Sequence, residues 1–302
     1  MMTDDWFSEY LRLLARLHEL IVQGRGDTDE ADLIRDQMDG PWSQLNRRQI
    51  ELADGLSCDF YTLGTNRTVP DFGGANDDDF REAVQRQDWE KAINLVRKRE
   101  SSLSPAVVAF LRGVCWLHLK QPEIALKFFE ESSRIEPPDP EQEIWYLSCL
   151  IQSGRALDAV PHARELLGTS SNLMLQRAAL EVLFAAASDL PDTERRAMLL
   201  DGCQFAEALL SISRWLTQPD GTDAQLALWL HLAISYLDLD DREKATHACL
   251  QALQIQPSNR SALELLGFLN YADFPQEARR PFVQRLQRES TQVFSQAPLT
   301  IA

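Results

Sequence analysis

Residues 226–257 read LALWLHLAISYLDLDDREKATHACLQALQIQP, and this stretch decides the fold. Trp229, Leu232, Ala233 and Tyr236 fall at i, i+3, i+4 and i+7, on one face of a first helix. The segment Asp238–Asp241 breaks the apolar pattern. Ala245, Cys249 and Ala252 then mark one face of a second helix, and Pro257 stops it.

The pattern recurs upstream in AVVAFLRGVCWLHLKQPEIALKFFEESSRIEP, residues 106–137. Gly113 stands where Ala233 stands, Trp116 where Tyr236 stands, Ala125 where Ala245 stands, and Pro137 where Pro257 stands. Phe129 matches Cys249 and Ser132 matches Ala252. The small residues let two helices approach closely, and the aromatic fills the gap between repeats. One departure is Arg112 at the place of Leu232, with Phe110 available to supply the apolar contact. Ala92, Ala125 and Ala159 follow at spacings of 33 and 34 residues.

Large, small and aromatic residues in a first helix, small residues in a second, then proline, at this period, resemble the tetratricopeptide repeat (TPR). The resemblance spans roughly residues 76–290. It implies an all-α, TPR-like superhelix of stacked antiparallel helix pairs, whose concave face comes mainly from first helices and holds a peptide or helix of a partner. The repeat-packing residues it implies are Gly113, Trp116, Ala125, Trp229, Ala233, Tyr236, Ala245 and Pro257. The partner-binding groove would be lined by Val107, Phe110, Val114, Leu117 and His118, by Glu141, Ile144, Ser148, Ile151 and Gln152, by Ala227, Leu230, Ile234, Leu237 and Asp238, and by Ser261, Glu264, Phe268 and Tyr271. Most of these are apolar, and the cations of a carboxylate clamp are missing.

The period stretches in the middle. Asn172–Ser188 reads as a first helix and Thr193–Trp215 as a long second one. Ala206 lies 47 residues after Ala159 and 39 before Ala245. Gln218–Thr222 is the turn that follows. After Pro257 one more helix pair, split near Asp273–Pro275, caps the array. At the other end Asp4–Gln23 is amphipathic, with Phe7, Leu11, Leu14, Leu17 (or His18) and Ile21 on one face. Thr28–Met38 reads as a short acidic helix, Pro41–Leu45 as a turn and Arg47–Leu56 as a further helix. The expected division is an N-terminal helical segment (1–64), a Gly/Pro/Asn/Asp-rich linker (65–78), a repeat array (79–290) and a tail (291–302).

Composition bounds the function. The 302-residue chain is 44% apolar and carries a formal net charge of −16. Residues 1–75 hold 7 Lys/Arg against 14 Asp/Glu, and residues 76–302 hold 23 against 32, so neither part is basic. Binding to phosphates or to an anionic membrane calls for the opposite sign. There is no apolar run of 18 residues and no basic n-region at the start, so the expected location is cytoplasmic. Five cysteines, an odd count without a CxxC pair, read as small hydrophobes rather than a disulfide or zinc framework.

No chemical motif stands against this. His18-Glu19 begins HELIV, but Val22 replaces the second His of a zinc-protease motif. No phosphate loop, dinucleotide fingerprint or nucleophile elbow occurs. The acidic clusters at Asp27–Asp39 and Asp77–Asp79 lack the alternation and terminal Glu of a calcium loop. No cofactor or metal is expected. The sequence thus points to a non-catalytic scaffold or adaptor whose apolar groove holds another protein or peptide, or the chain's own helix 4–23. The alternatives are an acidic cytosolic chaperone for a secreted or assembling client and, remotely, an enzyme with an unrecognised helical site. Trp42 is the candidate contact between the N-terminal segment and the array.

Overall fold

The computed structural model describes residues 3–63, 77–212, 221–270 and Arg285. Among the described residues the chain is all α-helical, with fourteen α-helices and no strand. The expected linker, the turn at Gln218, the split near Asp273–Pro275, Tyr271 and the tail 291–302 lie wholly or mostly outside the described residues. By internal contact the chain forms two compact units, Met1–Pro137 and Pro138–Ala302.

The first unit opens with α1 (Thr3–Val22), α2 (Asp29–Trp42) and α3 (Arg47–Thr62). Helix α2 starts where Thr28 accepts a hydrogen bond from the Ala31 N–H. A capping box, in which Asn46 and Gln49 satisfy each other's backbone, starts α3. Two sequence boundaries move. Pro41 sits inside the last turn of α2, where its fixed φ suits a helix and few hydrogen bonds are lost. Helix α3 runs on to Thr62 because Leu56 and Phe60 keep its apolar face buried. Leu13 and Leu20 of α1 pack with Ala31 and Ile34 of α2, flanked by Leu17 and Met38.

Then come α4 (Asp77–Gln85), α5 (Trp89–Lys98), a 3-10 turn at Glu100–Ser102, α6 (Pro105–His118) and α7 (Pro122–Ile135). The second unit holds α8 (Pro140–Gln152), α9 (Ala156–Thr169), α10 (Leu173–Ala187), α11 (Asp192–Leu210), α12 (Gly221–Asp238), α13 (Arg242–Ile255) and α14 (Arg260–Asn270). These pair as first and second helices: α4 with α5, α6 with α7, α8 with α9, α10 with α11, and α12 with α13.

Four of the pairs share one turn. Gln87, Lys120, Gly154 and Asp240 adopt φ of 57°, 62°, 72° and 68°. Each stands five residues before the packing alanine of its second helix: Ala92, Ala125, Ala159 and Ala245. The next N–H reaches back to the first helix in every case: Asp88 to Ala83 O, Gln121 to Trp116 O, Arg155 to Leu150 O and Asp241 to Tyr236 O, at 2.8–3.0 Å. This is the Schellman closure of a helix C-terminus. Three of the four left-handed residues carry a Cβ, so the shared geometry is held against a local cost. The α10–α11 pair lacks the turn; Pro191 enters α11 directly.

All four packing alanines are buried at 0–2% exposure. At α6–α7 a Cβ on Gly113 would stand 2.8 Å from the Phe129 ring. At α12–α13 the same places hold Ala233 and Cys249, so a smaller first-helix residue is matched by a larger one opposite. In α10–α11 the arrangement is reversed: Gly202 on the second helix receives Phe184 from the first, with an added Cβ at 2.9 Å. Ser132 Oγ donates to Ala106 O at 2.9 Å, which ties α7 to α6.

The N-terminal helices are not set apart from the repeats by contact. Phe60 of α3 lies between His18 of α1 and Phe128 of α7, with ring centroids at 4.9 and 6.0 Å. Gln121 donates to Ser8 Oγ at 2.9 Å, and Lys127 pairs with Glu19. Trp42 instead packs on Tyr10 within the bundle, ring centroids 5.1 Å apart. The described links to the repeats run through α1 and α3.

Candidate binding faces of the paired helices

The expected groove residues divide by burial. Val114, Leu117, Ile234 and Leu237 are 1–2% exposed, and Phe110, Leu230 and Phe268 reach only 8–9%. Phe110 turns toward its own partner helix, with its ring 5.7 Å from Phe129. Leu230 packs with Ala252 of α13 and Ala262 of α14, flanked by Trp229. Among the described residues these seven therefore present little apolar surface, and Phe110 and Leu230 pack against neighbouring helices. Sequence periodicity had marked them as apolar without showing what covers them.

Helix α1 also does not supply that cover through its polar contacts. Among the described residues its side-chain bonds to the repeats reach Gln121 and Lys127, at the start of and within second helix α7.

Three aliphatic residues of the expected groove remain part-exposed: Val107 on α6, and Ile144 and Ile151 on α8. On α8 they belong to a stripe. Glu141, Ile144, Ser148 and Ile151 follow at i, i+3, i+7 and i+10, within a narrow arc, and Gln152 extends it. Glu141 and Gln152 are exposed, and Ile144, Ser148 and Ile151 are half-buried. Partial burial, with Asp139 beside it, raises the Glu141 carboxyl above the usual carboxylate range. Asp139 itself caps α8, accepting from the Gln142 N–H at 2.9 Å. Glu143, outside the stripe, pairs with His162 of α9.

Helix α10 is apolar nearly all round and buried accordingly. Its charged residues, Arg177 and Glu181, form an i,i+4 pair at 3.3 Å with side chains 9% and 4% exposed. His231 of α12, also buried, stacks on Phe184 at 5.2 Å. Burial pushes the Glu181 carboxyl up to about 7 against the pull of Arg177. Burial, then Arg177, pushes His231 down to about 4. The sequence reading passed over this cluster. Its signal was an i,i+4 charge pair inside an otherwise apolar helix.

The first unit holds a second buried polar cluster. Asp59 of α3 receives Arg97 of α5 through Nε at 3.0 Å and Nη2 at 2.8 Å. It also receives Arg112 of α6 at 2.9 Å, and the same Arg112 nitrogen reaches Glu100 at 2.9 Å. The departure at Arg112 is thus explained: a cation fits a packing position because two carboxylates meet it there.

Other titratable groups are muted by burial. His118 stacks flat on Trp89 with ring centroids at 3.8 Å, and burial, then Lys120, pushes it down to about 4. Burial pushes the thiols of Cys115, Cys203 and Cys249 up to about 12. Among the described residues no group of three or more His, Cys, Asp or Glu could hold a metal ion. No described helix is long and apolar enough to cross a membrane.

No protein-family model matches the chain, and no curated protein does. Solved structures similar to it include the following three. YrrB, a TPR protein with an unusual peptide-binding site, is 17% identical over 61% of this chain and 87% of its own, with a TM-score of 0.45. The TPR domain of P58(IPK) is 16% identical over 95% of this chain and 80% of its own, with a TM-score of 0.29. The Rap conjugation gene regulator of plasmid pLS20, in complex with the Phr* peptide, is 13% identical over 97% and 99%, with a TM-score of 0.36. The helix pairs described above, with their repeated turn and packing alanines, are TPR-like.

Proposed function

We propose that this chain is a non-catalytic scaffold that holds a protein or peptide segment along the α8 stripe. The observation that carries the reading is a contrast at equivalent positions: Ile144 and Ile151 of α8 are part-exposed where Phe110 and Leu117 of α6 and Leu230 and Leu237 of α12 are closed. Ile144 and Ile151 lie two turns apart, about 10 Å along the helix. A partner segment that fits them presents two apolar anchors at that distance. A cation on the partner beside Glu141 and Asp139 would offset the partial burial and the neighbouring charge that raise Glu141.

Burial of His118, His231 and Cys115 supports a non-catalytic reading. A buried imidazole at about 4 is neutral at pH 7 and a poor base, and a buried thiol at about 12 is not a nucleophile. Glu181 titrates near neutrality but is enclosed beside Arg177 rather than facing a surface.

A displayed-peptide library selected on the full-length chain tests the proposal. It should enrich segments with two spaced apolar residues and a Lys or Arg. Ile144→Asp and Ile151→Asp should each weaken a selected peptide about tenfold or more, since burying one such anchor contributes roughly 1.5–3 kcal/mol. Peptides whose affinity is indifferent to both substitutions would defeat the reading. Uniformly apolar selections without a cation would favour the chaperone alternative.

A further inference from the structure

Gly55 sits in the interior of α3, where glycine weakens a helix relative to alanine. Its place is explained by a close approach. A Cβ at Gly55 would stand 2.2 Å from Arg97 Nη1 and 2.3 Å from its Cζ. The missing side chain is the space that the Arg97 guanidinium occupies on its way to Asp59, one turn further along α3. Asn94 steadies the same guanidinium, accepting from Nη1 at 2.9 Å. Thr62, at the end of α3, accepts from Arg112 at 3.4 Å and donates to Asp59 O at 2.7 Å.

We propose that Asp59, Arg97, Arg112 and Glu100 form a buried ionic clasp that makes α1–α3 the obligate N-terminal cap of the first-unit repeat helices. Two guanidinium groups and two carboxylates meet with side-chain exposures of 17%, 5%, 2% and 15% for Arg97, Arg112, Asp59 and Glu100. Removing the anion of α3 leaves Arg97 and Arg112 in a dry place with one carboxylate, Glu100 beside Arg112, which is costly. A repeat end needs a cap that hides its apolar surface. Here Phe60 covers Phe128 by stacking, while Asp59 answers the charges of α5 and α6. The clasp joins elements on both sides of residues 64–76. The bundle and α5–α7 accordingly open together rather than one after the other.

The full-length chain tests this by two routes. Gly55→Ala improves helix propensity, so it should raise the melting temperature if Arg97 can simply move aside. The clasp predicts the opposite sign, a fall of several degrees. Asp59→Asn tests cooperativity by hydrogen exchange under native conditions. The clasp predicts that amides of α1–α3 and of α5 and α6 lose protection together, by about the same factor. A Gly55→Ala chain that melts higher, or an Asp59→Asn chain in which α1–α3 alone exchange faster, would overturn the proposal. If Asp59→Asn does not fold, Gly55→Ala still decides.

Discussion

The two compact units both bury charge, and they do it differently. In the first, the charges come from α3, α5, α6 and the 3-10 turn, so each ion is met by a group from another element. In the second, Arg177 and Glu181 share one helix, at 3.3 Å, and the group facing them, His231, is pushed toward neutrality. Charges gathered from several elements hold those elements together. A pair confined to one helix leaves its carboxylate poorly compensated, and the rise of Glu181 to about 7 records that.

Breaking the first arrangement should have the largest effect. Asp59→Asn should cost about 3–5 kcal/mol in chemical denaturation, as for other buried pairs that lose one partner. A loss below about 1 kcal/mol would mean that water or a rearranged Glu100 compensates the two arginines.

The second arrangement should respond with the opposite sign. Glu181 rises from 4.5 to about 7 in the folded state, so the folded chain binds more protons between those values. Its contribution to stability therefore falls as pH rises through that window. Glu181→Gln should gain on the wild type as pH increases from 4.5 to 7, reaching about 3 kcal/mol above it. His231 runs the other way. Lowered from 6.5 to about 4, it contributes stability above 6.5 that is lost as pH falls through 4. The two slopes oppose each other in the wild type between 4.5 and 6.5, and thermal melts of Glu181→Gln across that range should expose the His231 slope. An unchanged pH profile would refute the assignment.

Packing and turns sharpen the comparison by what the units share. Gly113→Ala should cost roughly 1–3 kcal/mol through the Phe129 contact, whereas Ala233→Gly, at the same place in the other unit, should lose only about 1 kcal/mol. The turns predict the smallest changes. Lys120→Gly should stabilise by about 1 kcal/mol and Gly154→Ala should destabilise by a similar amount, because both positions are left-handed. Equal signs in a melting experiment would mean that the two turns are not equivalent.

These contrasts show what the sequence could carry. The packing alanines were legible because small residues recur at a fixed spacing, and the structure buries all four. The place of the turn was legible at Asp238–Asp241, but its left-handed geometry was not, since Gln87, Lys120 and Asp240 are ordinary residues held in that conformation by the helices around them. Arg112 stood out as a departure, but its partner Asp59 lies 53 residues earlier, and nothing local links them; Gly55 inside a helical pattern was the one hint. The burial of most apolar groove candidates was hidden for a related reason. Periodicity shows that Leu230 and Phe110 face something apolar, while only the tertiary fold shows that α13, α14 and α7 already occupy that space.

The binding reading rests on α8, and hydrogen exchange of the full-length chain with and without a selected peptide tests it most directly. Slowed exchange centred on α8, Pro140–Gln152, and absent in Ile144→Asp, is the predicted result. Slowed exchange confined to α1–α3 or α11, with α8 unaffected, would contradict it.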